Sequence, residues 1–167
     1  NDVVENGTNG RLLEKADDIV MTASTSEAYR LLFTVLCKPG DSVALPWPTY
    51  PLFDHLAEHQ YVRTVHYRAD PADGFRLSID AVRSALADDD VRLLVLISPN
   101  NPTGRVIDEK TLRDIVELCA TRGVSLVCDE VFAELSAEPV PRPSSFCDHD
   151  VPMYTLNGFS KLFALPD

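Results

Sequence analysis

Apolar and polar positions fall into blocks along this chain, and the spacing within the blocks changes from one to the next. Short runs rich in Val, Ile and Leu recur at Ile19–Thr22, Ser42–Leu45, Tyr61–Tyr67, Arg92–Ile97, Val124–Cys128 and Met153–Leu156. Runs this short, bounded by Gly, Pro, Asp or Asn, predict β-strands. Between them the period lengthens. Over Glu27–Cys37 the residues Ala28, Leu31, Leu32, Val35 and Leu36 fall at the i, i+3, i+4, i+7, i+8 spacing of a helix with one buried stripe, and Lys38-Pro39-Gly40 ends it. Further helices are predicted over Ile79–Ala87 and Glu109–Arg122, the second closed by Gly123. Strands alternating with helices imply an α/β fold, a mostly parallel central sheet flanked by helices. Residues 1–18 are polar and bear Gly and Asn, which suggests an arm or loop, so the domain is expected over residues 19–167. Pro139, Pro141 and Pro143 mark an irregular connection before the last strand.

A length of 167 residues, 45% of them hydrophobic and 25% charged, suits one domain with one core. The formal net charge of -11 repels phosphate backbones and anionic headgroups, so neither nucleic acid nor membrane is an expected partner. Cys37, Cys119, Cys128 and Cys147 form no CxxC pair and are expected as reduced core thiols rather than metal ligands. The opening NDVVENGTNG has no basic segment leading into an apolar one, and no apolar stretch approaches the ~20 residues of a membrane span. A cytoplasmic location is the expectation.

In an open α/β sheet, ligands bind beyond the C-terminal ends of the strands. Four such ends carry unusual chemistry. Ser24, Thr25 and Ser26 follow the first apolar run and open a helix, where hydroxyls and free N–H groups serve either as ordinary caps or as an anion cradle. Ser98-Pro99-Asn100-Asn101-Pro102-Thr103-Gly104 follows the fourth run, a turn with more Pro and Asn than a simple reversal needs. Val124–Cys128 runs directly into Asp129-Glu130, and a carboxylate there implies a cationic partner, since a lone buried acid costs several kcal/mol. Asn157-Gly158-Phe159-Ser160-Lys161 follows the last run and sets a lysine among small residues at the same edge. Alone, Lys161 reads as a solvated surface residue; in such a place it is also a candidate for a Schiff base with a carbonyl.

These four pieces, in this order, resemble the fold-type I pyridoxal-phosphate enzymes, specifically the class I/II aminotransferases, from about Ile19 to the end. The resemblance implies that the chain is part of the large, cofactor-binding domain and that pyridoxal 5'-phosphate is its cofactor. It implies that Lys161, in GFSK, is the internal-aldimine lysine. Asp129 would pair with the pyridinium nitrogen, making the ring an electron sink. Asn101, in NNPTG, would bond the cofactor's phenolic oxygen; Ser24, Thr25 and Ser26, with Ser160 as a weaker candidate, would hold the phosphate. Tyr50 resembles the aromatic residue that stacks on the ring, its plainer reading being a rim aromatic in a turn.

The pattern is departed from in three places. Phe132 stands where the family commonly has a tyrosine that donates to the phenolic oxygen. The family's phosphate-binding arginine lies a few residues beyond the lysine, past Asp167, and so does the small domain with its substrate-carboxylate clamp. By resemblance the complete enzyme is a homodimer that exchanges an amino group between an amino acid and a 2-keto acid. The alternatives are a lyase or synthase on the same scaffold, or a non-catalytic fragment that binds cofactor. A nucleotide-binding domain is disfavoured, because no GxGxxG or GxxxxGK[ST] follows any strand.

Overall fold

The computed structural model describes residues 19–143 and 151–163. The proposed arm over residues 1–18 and Cys147 lie outside the described residues. Five strands, β1 (Ser42–Trp47), β2 (Arg63–Arg68), β3 (Val91–Ile97), β4 (Ser125–Asp129) and β5 (Met153–Leu156), pair in parallel in the order β2-β1-β3-β4-β5. Among the described residues five helices, α1 (Thr25–Leu36), α2 (Leu52–His59), α3 (Ile79–Ala85), α4 (Glu109–Arg122) and the short α5 (Phe159–Leu162), precede, connect or follow them. The chain leaves β1 for one side of the sheet and returns to the other side at β3. Strand order therefore reverses between β1 and β3, and a crevice opens at such a point beyond the strand ends.

Helices cover both faces of the sheet, so the central strands are apolar on both sides rather than alternating. Six of the seven β3 residues are buried, Arg92 being the exception. Ala44, Leu94, Leu96, Leu126 and Cys128 turn to the face packed by α3 and α4, while Val43, Leu45, Leu93, Val95 and Val127 turn to the face packed by α1 and α2. Cys37, Cys119 and Cys128 are buried within these layers. Among the described residues no helix is long and apolar enough to cross a membrane.

Three features differ from the sequence expectations. The run Ile19–Thr22 forms no strand: Ile19, Val20 and Met21 are exposed, and the segment has no pairing partner in a sheet whose described edge is β5. Helix α2 is absent from the sequence expectations. Pro51 occupies the N-cap at φ -62, and Leu52, Phe53, Leu56 and Ala57 carry a helical period behind it. Helix α1 buries a different stripe from the expected one. Its core-facing residues are Tyr29 and Phe33 with Leu32 and Leu36 beside them, whereas Leu31 and Val35 are exposed. Residues 28–36 are apolar around most of the helix circumference, and burying the two aromatic rings removes more surface from water than burying Leu31 and Val35.

Candidate functional site

The C-terminal ends of the parallel strands bring the sequence motifs into one neighbourhood. Register sets Ile97 beside Asp129 and Asp129 beside Leu156, so Asp129 lies between the strand that leads to Asn101 and the strand that leads to Lys161. Backbone bonds tie the three ends together: Ser98 N–H donates to Asp129 O at 3.1 Å, and Glu130 N–H donates to Leu156 O at 2.9 Å.

Helix α1 begins at this same edge. Ser24 is its N-cap, the Oγ accepting from Glu27 N–H at 3.2 Å, and the Glu27 carboxylate accepts from Ala23 N–H at 2.7 Å. The capping role expected as one possibility for Ser24 is therefore present. Its hydroxyl hydrogen is still a donor, because a serine oxygen can accept and donate at once. Thr25 and Ser26 occupy the first helical positions, where backbone N–H groups have no intrahelical acceptor. The loop before Lys161 packs against this helix start. A methyl group added at Gly158 would lie 3.8 Å from both Thr25 Cγ2 and Val131 Cγ2, and 4.0 Å from Ser160 Oγ. Lys161 follows on α5 and is exposed.

In the turn after β3 it is Asn100 that shapes the backbone. Its Oδ1 accepts from Thr103 N–H at 3.2 Å and from Thr103 Oγ1 at 2.8 Å, and its Nδ2 donates to Pro48 O at 3.4 Å, linking the ends of β1 and β3. Asn101, next to it, lines a cavity of about 410 Å³ together with Pro99, Phe132 and Leu135. Phe132 therefore presents an apolar ring to the cavity that Asn101 also faces. Tyr50 lies in the turn between β1 and α2, 51% exposed.

Asp129 is 9% exposed, and its partners within the chain are neutral donors. The Tyr29 hydroxyl donates to Oδ2 at 2.8 Å and Val131 N–H donates to Oδ1 at 3.0 Å. At the next residue Arg142 Nη1 donates to Glu130 Oε2 at 3.0 Å, and its other terminal nitrogen reaches Glu134. Burial raises the Asp129 pKa, with the Val131 and Tyr29 bonds opposing it; burial likewise raises that of Glu130, against the pull of Arg142. Sequence reasoning missed Tyr29, although it lies one helical turn after Thr25. Among the described residues there is no cluster of three or more metal-ligating side chains.

The raised Asp129 pKa has a measurable sign. The folded chain holds the Asp129 proton to higher pH than the unfolded chain, whose aspartates titrate near ~3.9. Stability from this group is present below that value and is lost as pH rises through the folded pKa. In cofactor-free chain, Asp129→Asn is therefore expected to gain stability relative to the parent as pH rises from about 4, since asparagine never ionises. Urea denaturation at a series of pH values reads this slope, and a difference that stays flat contradicts the assignment.

Comparison with known proteins places this geometry. Residues 6–167 match the family model for aminotransferase class I and II. The chain is 30% identical over 152 residues to nicotianamine aminotransferase 1 of Oryza sativa subsp. japonica, covering 90% of this chain and 31% of that protein. It is 31% identical over 153 residues to a cystine lyase of Arabidopsis thaliana, covering 90% of this chain and 36% of the relative. An alanine aminotransferase from Pyrococcus furiosus superposes with a TM-score of 0.78 at 32% identity, covering 83% of this chain and 35% of that structure. The chain thus spans about a third of the length of these relatives. Family match, parallel sheet and the order of motifs along the strand ends agree: this chain belongs to the class I and II aminotransferases.

Proposed function

We propose that the protein carrying this chain is a pyridoxal-phosphate-dependent aminotransferase, moving an amino group between an amino acid and a 2-keto acid, with Lys161 as the residue that holds the cofactor. The observation that carries the proposal is the buried Asp129 carboxylate at the end of β4, flanked by the segments that bear Asn101 and Lys161. The donor set fits the cofactor. A buried carboxylate with lone pairs left beside its two donors suits a protonated ring nitrogen, and the open start of α1 suits a phosphate. An exposed lysine on the adjoining α5 suits an aldehyde.

When bound, pyridoxal phosphate supplies an aldehyde carbon and a ring that draws electrons from the substrate's α-carbon. Asp129 keeps the ring nitrogen protonated by presenting a negative charge to it. Thr25 and Ser26 offer N–H and O–H donors to the phosphate, joined by the Ser24 and Ser160 hydroxyls. Asn101 would donate an amide N–H to the phenolic oxygen, and Phe132, which lines the same cavity, has no second donor to add. Tyr50 would offer an aromatic face to the cofactor ring, worth about 0.5–1.5 kcal/mol beyond burial. Lys161 would hold the cofactor through its side-chain amine and would carry the substrate's α-proton as base and acid.

A second reading, a lyase on the same scaffold, is favoured by the cystine lyase relative. Product analysis separates the two. Incubation with amino-acid and 2-keto-acid pairs is expected to give the exchanged pair in equal amounts. Release of ammonia or a thiol without an exchanged amino acid would establish the lyase instead.

A further inference from the structure

We propose that Tyr29 is a positioning residue for Asp129: through its hydroxyl, α1 fixes the carboxylate that faces the ring nitrogen. The inference rests on the proposed role of Asp129. Tyr29 is 2% exposed and its hydroxyl donates to Asp129 Oδ2 at 2.8 Å, while Val131 N–H holds Oδ1. One donor on each oxygen sets the plane of the carboxylate and leaves outward lone pairs for a further donor. The tyrosine is itself held: its ring meets Phe53 edge-on at 4.7 Å and lies 6.1 Å from Phe33.

The placement along α1 adds a second consequence. Tyr29 stands four residues after Thr25 and three after Ser26, hence on the same helix face and about 6 Å further along the axis. One rigid helix therefore presents the proposed phosphate donors at its start and the aspartate's anchor one turn later. The spacing between the phosphate and ring-nitrogen contacts is built into a single element. Other ionisable groups around the pair are Cys128 and Tyr67, beside Tyr29, and Glu130, beside Asp129, with Glu130 engaged by Arg142.

A hydrogen bond to a carboxylate weakens it as a base. With the bond, the proton between Asp129 and the ring stays on nitrogen; without it, the proton moves toward the carboxylate. The test loads the protein carrying this chain with pyridoxal phosphate labelled with ¹⁵N in the ring and records the nitrogen signal and the cofactor affinity. Tyr29→Phe is expected to shift the signal toward neutral pyridine and to weaken binding about 10-fold, the scale of one charge-assisted hydrogen bond. A ring-fluorinated tyrosine at position 29, a stronger donor of nearly the same shape, is expected to shift the signal the opposite way, and it serves if Tyr29→Phe folds poorly. In an Asp129→Ala background the Tyr29 substitution is expected to change neither readout.

A signal that moves with Asp129→Ala but not with either Tyr29 variant overturns the inference and leaves the Asp129 role standing. A Tyr29 effect that persists without Asp129 also overturns it, because the residue would then act by packing alone. A signal indifferent to Asp129→Ala removes the Asp129 role and the inference together.

Discussion

Lys161→Ala is expected to abolish any borohydride-reducible bond between protein and cofactor and to lower turnover by at least about 10²–10⁴-fold, the range supplied by a positioned proton-transfer group. Both losses follow from one amine. Alanine can neither bond the aldehyde carbon nor move the α-proton. The fold should hardly notice. Lys161 is exposed on the four-residue α5, and a surface substitution of this kind changes stability by about 0.5 kcal/mol or less. Steady-state turnover, with thermal unfolding as control, measures the effect. Added small primary amines should restore part of the activity by carrying the proton in place of Lys161. Turnover within a few-fold of the parent would remove the lysine from the chemistry.

Asp129→Ala is expected to have the next largest effect. Truncating one partner of a buried charge pair costs about 3–5 kcal/mol, which corresponds to about 10²–10⁴-fold. The loss should fall on turnover more than on cofactor affinity, because the phosphate donors at Thr25 and Ser26 and the bond from Lys161 remain. The same substitution leaves the Tyr29 hydroxyl buried without its acceptor, so some loss of stability accompanies it. Measuring turnover and cofactor affinity side by side distinguishes the outcomes. Equal losses in both, or unchanged turnover, would mark Asp129 as a structural carboxylate.

Much of this architecture was legible in the sequence because the sheet is parallel and covered on both faces. The run at Arg92–Ile97 is apolar for the same reason that it is a strand, and Gly123 ends α4 in a left-handed conformation at φ 65, as its position implied. Where burial is not the deciding factor the pattern failed. Ile19–Thr22 has a strand's composition, but a strand also requires a hydrogen-bonding neighbour, which composition does not encode. In α1, residues 28–36 are apolar around most of the circumference. Two registers satisfied the helical period, and only packing against Phe53 and the sheet selects Tyr29 and Phe33.

The candidate site divides in the same way. Lys161, Asp129 and Asn101 were visible because strand ends are where an α/β sheet exposes polar chemistry. Tyr29 was hidden inside a stripe of core residues. Its hydroxyl is its one polar atom beyond the backbone, and the acceptor lies 100 residues away in the chain. Arg142 stands beside Glu130, one residue on from Asp129, because alternation along β4 and its extension sends neighbouring carboxylates to opposite sides. A local motif identifies the acids; which one meets an arginine is decided by the tertiary fold.

The central claim is that Lys161 is the residue that holds pyridoxal phosphate, and one measurement tests it most directly. The protein carrying this chain is incubated with pyridoxal phosphate, reduced with borohydride and digested, and the modified peptide is located by mass spectrometry. The expected result is one reduced cofactor adduct per chain, on the peptide containing Asn157-Gly158-Phe159-Ser160-Lys161, formed in competition with added amino acid. Modification at Lys38 or Lys110 in preference to Lys161, or no stable adduct at any lysine, would contradict the account.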